Sequence, residues 1–164
     1  MKIERLKKYI LPAGLFCAGL IALSALRSTE TMAPGAAAGQ IQVEVVDGES
    51  ETPLAGCTVV IPETGGSYVT GEDGKTEAIS VPILEDDVYK TILRKPWGEI
   101  TLLIYRDGYI PYALFHTQIY ENTARQGPKI YLFQQDSTGS DQPFTVVEGP
   151  QRLWVNELIE KFQP

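Results

Sequence analysis

The chain has 164 residues, 43% of them hydrophobic, enough to bury one sizeable core and too few for two domains of ordinary size. Its formal charge is −7, and nine basic against twenty acidic residues from Ser28 onward leave −11 on everything after the N-terminal segment. That acidity argues against nucleic-acid binding, which needs a positive face to displace counterions from phosphates, and against lying flat on anionic lipid.

Lys2, Arg5, Lys7 and Lys8 precede "YILPAGLFCAGLIALSAL", residues 9–26, eighteen uncharged and mostly apolar positions. As a helix this stretch would be about 27 Å long at roughly 1.5 Å per residue, close to a ~30 Å hydrocarbon core. The positive charge before it predicts a cytoplasmic N-terminus and an exported body. Two readings stay open for residues 1–27. One is a retained single-pass signal anchor, suggested by the length of the apolar run and by Arg27 directly after it. The other is a cleaved signal peptide, with small residues at Ala22 and Ala25 or in the 36–39 tract as processing sites. Lipid attachment at Cys17 does not fit, because Leu15 and Phe16 stand where small residues are required. Residues 28–39, "STETMAPGAAAG", read as a flexible spacer.

Residues 40–134 read as strand after strand. "IQVEVV" (41–46) alternates apolar and polar residues until "DGES" breaks it, and "CTVVI" (57–61) is β-branched and ends at Pro62. Asp73-Gly74 has the composition of a hairpin turn between Tyr68–Thr70 and Thr76–Val81. "VYKTILR" (88–94), "EITLLIY" (99–105), "YIPYALFHTQIY" (109–120) and "KIYLF" (129–133) complete the set. Seven or eight short strands at this spacing predict an all-β, antiparallel Greek-key sandwich. Only Cys17 and Cys57 exist, one in the apolar stretch and one in the body, so no disulfide framework or zinc site can be built. Cys57 is expected to be a small buried hydrophobe.

The segments "IQVEVVD", "PLAGCTVVI" (53–61), "TGEDGKTEAI" (70–79) and "ITLLIYRDGY" (100–109), closed by "KIYLF", resemble the carboxypeptidase regulatory-like domain family, a transthyretin-like sandwich. The resemblance spans about 41–134. Its motifs are structural, so it implies a fold more than an activity. The transthyretin-like hydrolases of purine breakdown use paired histidines and a Tyr-Arg-Gly-Ser ending, and this chain has neither.

After Gln134 the texture changes. Residues 135–150 read as a linker in which "FTVV" can add an edge strand, and 151–164 as a short amphipathic helix. Trp154, Val155, Leu158, Ile159 and Phe162 form its apolar stripe, which either docks on the sandwich or binds another protein.

His116 is the only histidine and no G-x-S-x-G elbow occurs, so nucleophilic catalysis has no base beside a nucleophile. An isopeptide crosslink wants a lysine on an early strand facing a late asparagine, and "IQVEVV" has no lysine and "KIYLF" no asparagine. The acidic clusters at 72–74 and 85–87 lack the regular spacing of a calcium loop and read as solvated turn charge. Trp97, Tyr105, Tyr109 and Tyr112 are the candidate ligand-binding rings, bracketing a loop end where sandwiches present ligands. The expectation is a non-catalytic bacterial envelope module without cofactor or metal, held to the membrane by its N-terminal helix and binding an envelope protein. Carbohydrate binding, with wall glycan stacked on those rings, is the alternative.

Overall fold

A computed structural model describes residues 37–84, 86–135 and 142–164. The apolar stretch 9–26 and the spacer up to residue 36 lie outside the described residues, and no helix among those described is long and apolar enough to cross a membrane. The described elements are β1 (Ala38–Asp47), β2 (Thr58–Ile61), β3 (Gly66–Val69), β4 (Ile79–Pro82), β5 (Trp97–Tyr105), β6 (Tyr112–Tyr120), β7 (Ala124–Leu132), β8 (Phe144–Val147) and one helix, α1 (Arg152–Phe162). They form a sandwich of a three-stranded sheet, β4-β1-β7, and a five-stranded sheet, β3-β2-β5-β6-β8.

Alternation along the strands builds the core. Ile41, Val43 and Val45 of β1, Ile130 and Leu132 of β7, and Ile79 and Val81 of β4 are buried against Val59 and Ile61 of β2 and Ile100, Leu102 and Ile104 of β5. Cys57 is free and fully buried, packed within this cluster.

Both sheets are mixed rather than antiparallel, because β1 pairs with β7, and β6 with β8, in parallel. The tight turn after Tyr120 delivers the chain to the end where β1 starts, with Asn122 N–H on Ala38 O and Gln40 N–H on Thr123 O, both at 2.9 Å. From there β7 must run beside β1 in the same direction. It finishes where β6 begins, so β8, entering with Phe144 N–H on Pro111 O at 3.0 Å, runs parallel to β6. The sandwich thus has an entry end, at Ala38, Pro82, Trp97 and Tyr120, and a far end, at Asp47, Tyr105 and Tyr109.

Two further expectations are corrected. Residues 88–94 are turns, not a strand. The Asp86 carboxylate accepts from the N–H groups of Val88 (3.0 Å) and Tyr89 (3.3 Å), and Lys90 N–H returns to Asp86 O at 2.9 Å. An acidic side chain that captures the next amides competes with the sheet ladder. The Asp73-Gly74 turn forms, with Gly74 N–H on Gly71 O at 2.9 Å, but its arms do not make a hairpin: β3 pairs with β2 and β4 with β1, in different sheets.

In β6, strict alternation would put Leu114 and His116 on one face and Phe115 and Thr117 on the other. Ile100 pairs with Thr117 and Leu102 with Leu114, so two residues, Phe115 and His116, oppose Thr101. His116 takes φ 57° to absorb the extra residue. This bulge reverses the parity of the strand. Leu114 points to the core before it, and Thr117 and Ile119 after it.

One consequence is measurable. Thr117 is fully buried and its Oγ1 has no hydrogen-bond partner among the described residues. An unsatisfied buried hydroxyl costs on the order of 1–3 kcal/mol, so Thr117→Val, which keeps the shape, is expected to raise unfolding free energy by about 1 kcal/mol. Urea denaturation reads this directly, and a lower midpoint in the variant would contradict it.

Candidate functional site

At the far end, "DGES" and "YRDGY" meet. Asp47 closes the turn after β1 by accepting from Glu49 N–H (3.0 Å), Ser50 N–H (2.8 Å) and Ser50 Oγ (2.9 Å) on one oxygen, and its other oxygen accepts from Tyr109 Oη at 2.9 Å. Hydrogen bonds from the Ser50 amide and hydroxyl, then from Tyr109, hold the Asp47 carboxyl far below the usual carboxylate range. Burial, and after it the bond to Asp47, pushes the Tyr109 hydroxyl up. A carboxylate depressed in the fold contributes stability that is complete above its unfolded value of about 4 and is lost as pH falls through its lower folded value. Asp47→Asn is therefore expected to be less stable than the parent at neutral pH, with the difference closing as pH drops below about 4. Denaturation midpoints across that range check the sign, and a difference that widens in acid would refute it.

Beside this turn lies an open groove of about 380 Å³ lined by Gly56, Thr58, Tyr105, Arg106, Asp107, Gly108, Tyr109, Pro111 and Gln135. Arg106 donates from Nη1 to Ala55 O and lies 5.4 Å from the centre of the Tyr109 ring. That fixes one wall. Tyr105 is 44% exposed and forms the apolar rim. The groove offers one cation, one carboxylate, two phenolic rings and amide groups, a set suited to holding a polar ligand against an aromatic surface.

Trp97 is not part of this groove. It is 2% exposed, and it begins the strand that Tyr105 ends, about 26 Å away at roughly 3.3 Å per residue. No sugar can stack on it. Tyr109 lines the groove, while Tyr112 packs half-buried against the core. Of the four rings proposed from sequence, the structure brings together Tyr105 and Tyr109.

The entry end carries a second constellation. Trp154 of α1 is 6% exposed, packs edge-on against Tyr89 (5.1 Å between ring centres) and Trp97 (5.6 Å), and donates to Leu93 O at 3.3 Å. Lys95 bridges Asp86 (2.7 Å) and Glu99 (3.0 Å), and Glu99 also receives Trp97 Nε1–H (3.1 Å). His116 Nδ1 lies 2.8 Å from the other Glu99 oxygen. Burial alone would raise Glu99, but hydrogen bonds from His116, Lys95 and Trp97 outweigh it and hold the carboxyl below its ordinary value. Burial likewise pulls Lys95 down, and its bonds to Asp86 and Glu99 more than offset it. These groups clamp α1 and the 86–95 turns to the sheet. Among the described residues no three His, Cys, Asp or Glu side chains gather as a metal-ligand set.

Helix α1 therefore docks by one edge of its stripe. Trp154 is buried and Val155 and Leu158 are half-buried, while Ile159 (61%) and Phe162 (62%) are exposed. Sequence reasoning did not single out Asp47, Arg106, Lys95 or Glu99. Asp47 had a local signal, an Asp-Gly-x-Ser turn that favours side-chain capture of the following amides. The others become partners only through tertiary pairing.

No family model and no curated protein matches this chain. Solved structures that align with it include the TIE protein of Bacillus anthracis (TM-score 0.41, 10% identity, 60% of this chain and 17% of that one). Others are a type II cohesin–X-dockerin complex of Acetivibrio cellulolyticus (0.40, 19%, 60% and 59%) and a minor pilin of Streptococcus agalactiae (0.40, 17%, 60% and 45%). The chain spans less than two thirds of the length of each.

Proposed function

We propose that this protein is a non-catalytic interaction module of the bacterial envelope, of the carboxypeptidase regulatory-like type, tethered or exported by its N-terminal segment with the sandwich on the extracytoplasmic side. The observation that carries the reading is the position of the open groove. It lies at the far end of the sandwich, away from the end where residue 37 joins the body, with Tyr105 and Asp107 exposed. The lone histidine supports a non-catalytic role, because its ring nitrogen is paired with Glu99, a carboxylate that Lys95 and Trp97 also hold.

The ligand of the groove is read as a segment of another envelope protein. A pull-down from detergent-solubilised membranes with the full chain and with Tyr105→Ala/Asp107→Ala tests this. Loss of a captured protein supports it, and an identical set of partners removes the groove from the reading. Wall glycan is a second reading, favoured by the two phenolic rings that line the same groove. Co-sedimentation of the full chain with purified wall, abolished in the same double variant, would select it over a protein ligand.

A further inference from the structure

The entry end carries an exposed apolar flank that the groove reading does not use. At about 100° per residue, Val155, Ile159 and Phe162 share one flank of α1, while Glu157 and Glu160 lie on the opposite side, facing water. Val88, on the turns against which Trp154 packs, is also 69% exposed. We propose that this end of the sandwich rests on the lipid bilayer, with the Ile159–Phe162 flank seated at the boundary between headgroups and acyl chains. The proposal rests on the tethered form of the reading above.

Two observations select lipid as the occupant. The first is where the chain outside the described residues joins the body. Residue 37 meets the sandwich at this end, with Ile83 N–H on Ala37 O at 2.8 Å, and Trp97, on which Trp154 packs, pairs with Tyr120 beside it. Only nine residues, 28–36, separate Arg27 from that point, so at roughly 3.3–3.6 Å per residue a bilayer holding residues 9–26 lies at most about 35 Å away. The second is charge. Five of the nine basic residues after Ser28, Lys90, Arg94, Lys95, Arg152 and Lys161, belong to α1 and the adjoining turns, against four acidic ones, Asp86, Asp87, Glu157 and Glu160, so this end is close to charge balance while the chain from Ser28 onward carries −11. Asp47, Glu49, Glu51, Glu72 and Asp73 sit on turns toward the far end. An acidic body that is repelled broadside by anionic lipid is thereby accommodated end-on. Arg152, at the start of α1 and beside Ile159 around the helix, is placed to reach headgroups next to the apolar flank, while Lys161 donates to Ile92 O.

The test uses the full chain reconstituted in vesicles of phosphatidylcholine and phosphatidylglycerol, with tryptophan added singly as Phe162→Trp, Ile159→Trp or, at the far end, Tyr105→Trp. An interfacial helix sinks about 5–10 Å, so lipids brominated high on the acyl chain are expected to cut the added emission at 162 and 159 by about two-fold or more, leaving 105 unchanged. Carbonate extraction of the same vesicles reports the tether separately. Probes at 162 and 159 that stay unquenched in carbonate-resistant protein overturn the lipid contact and leave the tether standing. Quenched probes on protein that carbonate strips away support the contact and remove the tether. Probes unquenched by brominated lipid yet shielded from aqueous iodide only in native membranes assign the flank to a protein partner and also overturn the proposal.

Discussion

Trp154→Ala is expected to destabilise the protein by about 3 kcal/mol, the lower end of the range for truncating a buried tryptophan. Three losses add together. The indole leaves a cavity against Tyr89 and Trp97, the edge-on ring contacts vanish, and Leu93 O loses its donor. The rest of α1 offers little in compensation, because only this residue of the helix is buried and Ile159 and Phe162 point outward. Helix and turns are expected to separate from the sheet together, since the Lys95 ammonium that bridges Asp86 and Glu99 also lies 5.9 Å from the Trp154 ring. Limited proteolysis should then cut within 151–164 before the sandwich unfolds, and urea denaturation should show the lowered stability. A variant as protease-resistant as the parent would mean that α1 is held by contacts other than Trp154.

Gly74→Ala is expected to cost about as much, through the backbone. Gly74 has φ +72°, and a Cβ there would sit 2.5 Å from Val45 O and 3.1 Å from Leu54 N. Those two atoms are bonded to each other, Leu54 N–H donating to Val45 O at 2.9 Å, and Val45 N–H donates to Gly74 O at 2.7 Å. The left-handed conformation costs roughly 1–2 kcal/mol in any L-residue. Each broken hydrogen bond adds about 1 kcal/mol, giving a total near 3 kcal/mol. Gly108→Ala is the matched control: its φ is +79° but nothing lies within 4 Å of the new Cβ. It should pay the conformational cost alone, about 1 kcal/mol. Equal losses in the two variants, read from urea midpoints, would show that the contact with β1 contributes nothing.

The strands that were legible in the sequence are those whose side chains alternate without interruption. "IQVEVV" and "EITLLIY" read as β1 and β5 because every second residue faces the core. What the sequence hid has local physical causes. "VYKTILR" has strand composition, but Asp86 captures the amides that a ladder would need. "YIPYALFHTQIY" alternates on paper, and a single bulged residue at His116 exchanges its faces. Parallel pairing was invisible because it follows from which end of the sandwich each connection reaches, a property of the whole chain. The candidate site shows the same division. Tyr105 and Tyr109 flank one turn and were found together, whereas Trp97 lies at the opposite end of the same strand, and aromatic content alone carries no information about which end a ring occupies.

The pairing of β1 has a mechanical consequence for a body held at one end and loaded at the other. Force arriving through Ala38 runs along β1, which lies between β4 and β7 and is hydrogen-bonded on both sides. Because β7 runs parallel to β1 and bonds to it almost to the far end, at Asp47 and Leu132, a pull along the strand shears those bonds together instead of peeling them one by one. Resistance to such a pull is governed by the rate of unfolding. A spring attached at Ala38 and at the Tyr105 groove should therefore rupture at a higher force than one attached across the open edge of β8.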